Sequence, residues 1–206
     1  MRRKNRMVLR GLLTVLLAVG MVSCASIPEL KVLYRLPPSS SYLKDKKVSL
    51  AVEDARKTKE LFGQGAKKDF GNYVGNISLS VARQNEDGFK IGPFQLPEMV
   101  KEAFKRRLEN EGVEVLSERT RVEPQVFIII NEFVVDLVGR KWTAKMGYEA
   151  KLMKDEDVLA TQIIEGEAER LKLIGRKDAD TVTGEIFTDM VNRLDLLKLF
   201  RQANLL

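Results

Sequence analysis

The sequence predicts an α+β fold: a mainly antiparallel sheet of about five strands with two main helices packed on one face, in the order β-β-α-β-β-β-α. Three observations carry this. Several stretches alternate apolar and polar residues with the period of two that a half-buried strand requires. Two others repeat apolar residues every three or four positions, as a helix with one buried face does. Short turn signals separate the last three strands, so they pair as hairpins, and helices on one face of such a sheet form the α+β arrangement.

Val48, Leu50 and Val52 alternate with Ser49, Ala51 and Glu53 and give the first strand from Lys47; Asp54-Ala55-Arg56 ends it. Ile77, Leu79 and Val81 alternate with Ser78, Ser80 and Ala82 and give the second. Asn85-Glu86-Asp87-Gly88 and then Gly92-Pro93 interrupt the chain. A helix follows over about 97–111. Pro97 suits its first turn and Gly112 the position just past its end, while Val100, Phe104 and Leu108 form the buried stripe.

The run "QVFIII" from Gln125 is apolar on both faces and reads as a central strand continuing through Phe133, Val135 and Leu137. Gly139-Arg140-Lys141 turns it back. Trp142, Ala144, Met146, Tyr148, Ala150 and Leu152 alternate along the next strand, and Lys154-Asp155-Glu156-Asp157 leads into the last, from Val158 to about Glu169. A second helix is predicted over about 178–194, with Val182, Ile186, Phe187, Met190, Val191 and Leu194 on one face. Leu196, Leu197, Leu199 and Phe200 then give a short amphipathic turn.

The N-terminus has a different composition. Arg2, Arg3, Lys4 and Arg6 form a basic start, and residues 11–22 are apolar except for Thr14. A basic region, a short apolar run and a small residue ahead of a cut are the parts of an export signal. Twelve apolar residues fall well short of the roughly 20 that span a bilayer. Met21-Val22-Ser23-Cys24 resembles the lipobox of bacterial lipoproteins, with Met21 in place of the usual Leu. The resemblance implies lipidation of Cys24 by diacylglyceryl and palmitate-type acyl chains after removal of 1–23 as a signal peptide. Two or three chains anchor far more firmly than one. By the same resemblance, Ala25 after the cysteine implies the outer membrane of the envelope, facing the periplasm. Residues 24–45, with Pro37-Pro38-Ser39-Ser40-Ser41, read as a flexible tether of up to roughly 60–70 Å, and 46–206 as a single domain.

The whole chain has 35 Lys+Arg and 29 Asp+Glu, a net charge of +6. Five of those cations lie in the signal; the remainder carries 30 Lys+Arg against 29 Asp+Glu and a net +1. That balance removes the electrostatic case for nucleic-acid binding. The chain has no histidine, and its one cysteine is Cys24. Ser-His and Cys-His nucleophile pairs are therefore excluded, together with the commonest zinc ligand. No catalytic residue, cofactor or metal ligand is assigned.

The Cys24 motif, the strand "KVSLAVEDAR", the unit "LPEMVKEAFKRRLENEGVEVL", the strand "QVFIIINEFVVDL" and the hairpin "YEAKLMKDEDVLATQIIEGEAE" together resemble a YajG-like bacterial lipoprotein. More distantly, the layout is similar to the auxiliary lipoproteins of ABC-type lipid transporters. The resemblance implies fold and location and carries over no catalytic residue. Asp54 and Arg56, with Gly63 after them, resemble an Asp-x-Arg…Gly pattern of such lipoproteins. They are a possible partner-binding rim, or else a turn cap with a local ion pair.

Three further stretches are weighed on their chemistry. "GQGAKKDFG" (63–71) lacks the Gly-Lys-Ser/Thr ending of a phosphate loop and reads as a loop between strands. "KDEDV" (154–158) lacks calcium-loop spacing and reads as a hairpin tip. In "KEAFKRRLE" (101–109), Glu102 and Glu109 dilute the basic charge and leave an ordinary wet helix face. Two functions remain: a non-enzymatic envelope lipoprotein binding a protein partner or supporting an envelope assembly, or a carrier or sensor for an apolar or cell-wall ligand held between sheet and helices. A cavity of roughly 300 Å³ or more between those layers would favour the second.

Overall fold

The computed structural model describes residues 28–206 except 72, 74, 84 and 121. Cys24 and the signal segment lie outside the described residues. The fold is α+β, with eight strands in two sheets among the described residues. β1 (Leu30–Arg35), β3 (Ile77–Ala82) and β4 (Phe89–Phe94) form a small sheet in the order β1-β3-β4. β5 (Glu114–Leu116), β2 (Lys47–Asp54), β6 (Gln125–Val138), β7 (Lys141–Lys154) and β8 (Asp157–Leu171) form the large one in that spatial order. The helices are α1 (Gln64–Phe70), α2 (Leu96–Asn110), α3 (Arg176–Arg193) and α4 (Leu196–Gln202).

The expected meander is present: β6, β7 and β8 pair antiparallel over their length. The large sheet has five strands, as many as expected, and is mainly antiparallel, while the second, three-stranded sheet and the parallel pairs were not foreseen. β1 pairs parallel with β3, and β2 runs parallel to both β5 and β6. β4 was hidden by Pro93, which has no N–H to give a ladder; it is tolerated because β4 lies at the sheet edge.

The tether expected over 24–45 is also corrected. Leu30, Val32 and Tyr34 are fully buried in β1, and Leu43 is buried as well. The Pro/Ser stretch wraps the end of α2. The Ser40 and Leu43 N–H groups donate to the carbonyls of Asn110 and Glu111, which a helix C-terminus leaves without partners. Within the described part of that segment, residues 30–45 therefore pack with the domain instead of forming a tether. Residues 64–70, expected as a loop, form α1.

Both main helices lie on one face of the large sheet, as expected. Tyr148 of β7 shows this directly: its ring meets Phe104 of α2 edge-on at 5.3 Å, and its hydroxyl donates to the Met190 carbonyl of α3 at 2.9 Å. The layer between sheet and helices is filled with fully buried side chains, among them Met99, Val100, Met146, Phe187 and Leu199. Each such side chain contributes about 1.5–3 kcal/mol on leaving water.

Candidate functional site

Arg56 is only 7% exposed and spends all five of its guanidinium N–H groups inside the domain. Nε and Nη2 donate to the two carboxylate oxygens of Asp54, each at 2.9 Å. Nη2 also donates to the Lys59 carbonyl at 3.2 Å. Nη1 donates to the Phe133 and Glu60 carbonyls at 2.9 and 3.3 Å. Burial would raise the Asp54 carboxyl, but the bonds from Arg56 outweigh it and hold the group at about 2. Of the two sequence readings, the local pair is the one the geometry displays. Arg56 fastens the turn at 56–60 to β6 beside the irregularity between Ile130 and Glu132. Gly63, the third member of the pattern, sits against Asp136; a Cβ there would meet the Asp136 carboxyl carbon at 2.2 Å.

A second polar constellation escaped the sequence reading. β1 is an edge strand, so its outward backbone groups need partners. α3 supplies them from one face, at residues 180, 188 and 192. Asp180 Oδ1 accepts from the Lys31 N–H at 2.8 Å. Thr188 Oγ1 accepts from the Arg35 N–H at 3.1 Å and donates to the Leu33 carbonyl at 3.3 Å. Asn192 donates to the Arg35 carbonyl and accepts from the Tyr34 hydroxyl, both at 2.9 Å. Between them Gly184 lets the backbones touch: a Cβ would sit 3.1 Å from the Leu33 carbonyl oxygen. The spacing of four is one helical turn, so these side chains stack along one stripe. That spacing of small and polar residues was the available signal, but it is informative only once β1 is known to be a strand.

This seam forms the floor of an open groove of about 1050 Å³ between the small sheet and α3. Leu33, Ser80 and Gly88 line one side; Thr181, Gly184 and Glu185 line the other. Burial pushes the Asp180 carboxyl up to about 6, against the lowering effect of the Lys31 N–H bond.

The three weighed stretches resolve as follows. In α2, Glu102 pairs with Arg106, Glu109 lies 3.9 Å from both Lys105 and Arg106, and Arg107 pairs with Glu111, so most of the basic run is offset by neighbouring carboxylates. Asp155 and Glu156 form the turn of the β7–β8 hairpin, with Asp155 at φ 54°. Among the described residues no group of three or more Asp, Glu, Cys or His side chains is placed to hold a metal ion. In α1, Lys67 pairs with Glu60, and the Gly65 and Ala66 N–H groups donate to Asp136 at 2.9 and 3.1 Å.

The large sheet has an outer face as well. Register places Ala51, Phe127, Ile129, Met153, Val158 and Ile163 on the side away from α2 and α3. Ile163 and Val158 are exposed and the others half-covered. Glu149 and Lys151, paired at 3.2 Å, cross the middle of this apolar band.

No family model matches the chain, and no curated protein matches it. Solved structures do. Protein XCC0632 from Xanthomonas campestris, described under family model DUF330, is 14% identical over 85% of this chain and 92% of its own, at a TM-score of 0.49. Rare lipoprotein B from Shewanella oneidensis is 8% identical over 76% of this chain and 98% of its own, at 0.43. Hypothetical protein CT253 from Chlamydia trachomatis is 10% identical over 78% and 99%, at 0.41.

Proposed function

We propose that this chain is a lipid-anchored envelope protein without enzymatic activity, most simply on the periplasmic face of the outer membrane, that binds a protein partner through the uncovered face of its large sheet. The observation that carries the binding surface is the apolar band on that face. An antiparallel sheet with one solvated face ordinarily turns polar residues outward; here Phe127, Ile129, Met153, Val158 and Ile163 point that way across three strands. The anchor rests on the lipobox-like residues ending at Cys24. The name of one structural neighbour, a lipoprotein, accords with that reading.

Crosslinking in cells followed by pull-down is expected to recover one stoichiometric envelope partner, and Ile129→Lys with Ile163→Lys to lose it while the protein stays folded. Recovery of abundant bystanders alone, equally with both forms, would count against partner binding. Mass spectrometry of the mature protein tests the anchor separately: an unmodified thiol at position 24 would remove it.

The groove beside α3 favours a second reading, a ligand carrier. It lies outside the filled layer between large sheet and helices, and its walls mix Lys31, Asp180 and Glu185 with Leu33. A bound small molecule in mass spectra of the native protein would support it.

A further inference from the structure

Four large apolar side chains stand exposed at one end of the large sheet. Val138, at the β6–β7 turn, is 63% exposed; Leu171, Leu173 and Ile174, between β8 and α3, are 57%, 77% and 67% exposed. The two segments are neighbours. Lys141 pairs with Leu171 in the ladder, and the Lys172 N–H donates to the Arg140 carbonyl at 2.8 Å. The loop is tied in place. Asp178 accepts from the Leu173 and Ile174 N–H groups, and Trp142 Nε1 donates to the Gly175 carbonyl at 3.0 Å. Gly175, at φ 71°, makes the turn. These side chains are held out to water by a built scaffold.

Cations outnumber carboxylates around them. Residues 138–141 and 170–177 read VGRK and RLKLIGRK, six cations and no acid in twelve residues. Lys141, Lys172 and Arg170 have carboxylate partners in Glu169, Asp69 and Glu185. Arg140, Arg176 and Lys177 have none within 4 Å among the described residues. Apolar tips ringed by Lys and Arg fit the boundary of an anionic bilayer, where apolar groups enter a few ångströms and cations meet headgroups.

The chain enters the fold at this same end. Lys31 bonds to Asp180, one helical turn from the Arg176 start of α3. Five residues separate Cys24 from Leu30, six steps along the chain and a reach of no more than about 20 Å. An anchor at Cys24 therefore keeps this end near the membrane instead of letting the domain stand far off.

We propose that the Val138–Arg140 and Leu171–Lys177 loops form a second membrane contact that seats this end of the domain on an anionic bilayer. The orientation rests on the lipid-anchor reading; the contact surface itself does not. Seated this way, the large sheet stands away from the bilayer with its outer face open to a partner.

The acylated protein has no other thiol, so an introduced cysteine can be labelled alone with a polarity-sensitive fluorophore. Leu173→Cys and, at the opposite hairpin, Glu156→Cys would be reconstituted in vesicles containing phosphatidylglycerol with spin-labelled acyl chains. The expected result is a blue-shifted, quenched signal at position 173 and a water-like one at 156. Quenching at 173 should be lost on adding Arg140→Glu with Lys177→Glu, and should weaken in purely zwitterionic vesicles. A water-like signal at 173, equal signals at both positions, or indifference to lipid charge would overturn the proposal. Shielding of 173 only after envelope proteins are added would overturn it in favour of a protein interface. Labelling of the parent protein at Cys24 would bring down the anchor instead, and the tip would then be judged by charge-dependent cosedimentation with the same vesicles.

Discussion

Two half-buried aspartates in this domain titrate in opposite directions, and their surroundings explain why. Asp54 faces the fork of Arg56, which supplies two charge-assisted bonds and a full positive charge, and its carboxyl falls to about 2. Asp180 faces a backbone N–H and a groove wall, and its carboxyl rises to about 6. Burial disfavours the charge at both sites; a dedicated cation overcomes it at only one. The first site is a clamp that depends on ionisation. The second is a seam that tolerates a proton, since a neutral carboxyl can still accept from Lys31.

The largest way to break this contrast is Arg56→Met. It leaves Asp54 with only the exposed Lys59 as a cation and takes a donor from three carbonyls, and should cost about 3 kcal/mol or more, read as a lowered urea midpoint. A loss below about 1 kcal/mol would mean that the clamp is ornamental. Gly184→Val attacks the seam by volume. Its side chain has no room beside Leu33, and overpacking there should cost about 2–3 kcal/mol. Asn192→Ala removes the partner of the buried Tyr34 hydroxyl and a donor to Arg35, with an expected loss of about 1–2 kcal/mol.

The smallest effect separates the two carboxylates by pH. Asp180 has a raised carboxyl, so between about pH 4 and 6 the folded chain holds a proton that the unfolded chain has given up. Its contribution to stability therefore grows as pH falls from 6 towards 4. Asp54 has a lowered one, so its contribution is present above about pH 4 and is lost as pH falls towards 2. Asp180→Asn should accordingly change the slope of stability between pH 6.5 and 4.5, while the cost of Arg56→Met should be full above about pH 4 and shrink as pH falls towards 2. Parallel pH profiles for the parent and Asp180→Asn would contradict the raised carboxyl.

The strongest periodic signals were legible in full. α2 was expected over about 97–111 and runs Leu96–Asn110; α3 was expected over about 178–194 and runs Arg176–Arg193. β6, β7 and β8 followed from alternation and turn residues. What went unread was short or disguised. β1 alternates Leu30, Val32 and Tyr34 over only six residues, and the Pro/Ser run beside it drew the whole segment into a tether. β5 is three residues long, and α1 lacks the length at which helical periodicity separates from noise. The candidate sites were legible only in kind. Asp54 and Arg56 were visible as a charged pair, but whether they faced inward depended on β6 arriving beside them.

By itself, the sequence determined the α+β class, the face each long element buries, the absence of histidine chemistry, and a lipobox-like cysteine ahead of the domain. These are local properties, set by residue type and by the two backbone periods. Only the tertiary structure decided that the chain forms two sheets, that β1 is sealed by a stripe of α3 about 150 residues away in sequence, and that Arg56 is buried. It alone brought Val138 and Ile174 to one end beside the entry of the chain. The reason is physical: strand order and helix docking are chosen by which apolar faces can cover one another, a choice among distant segments that no local pattern encodes.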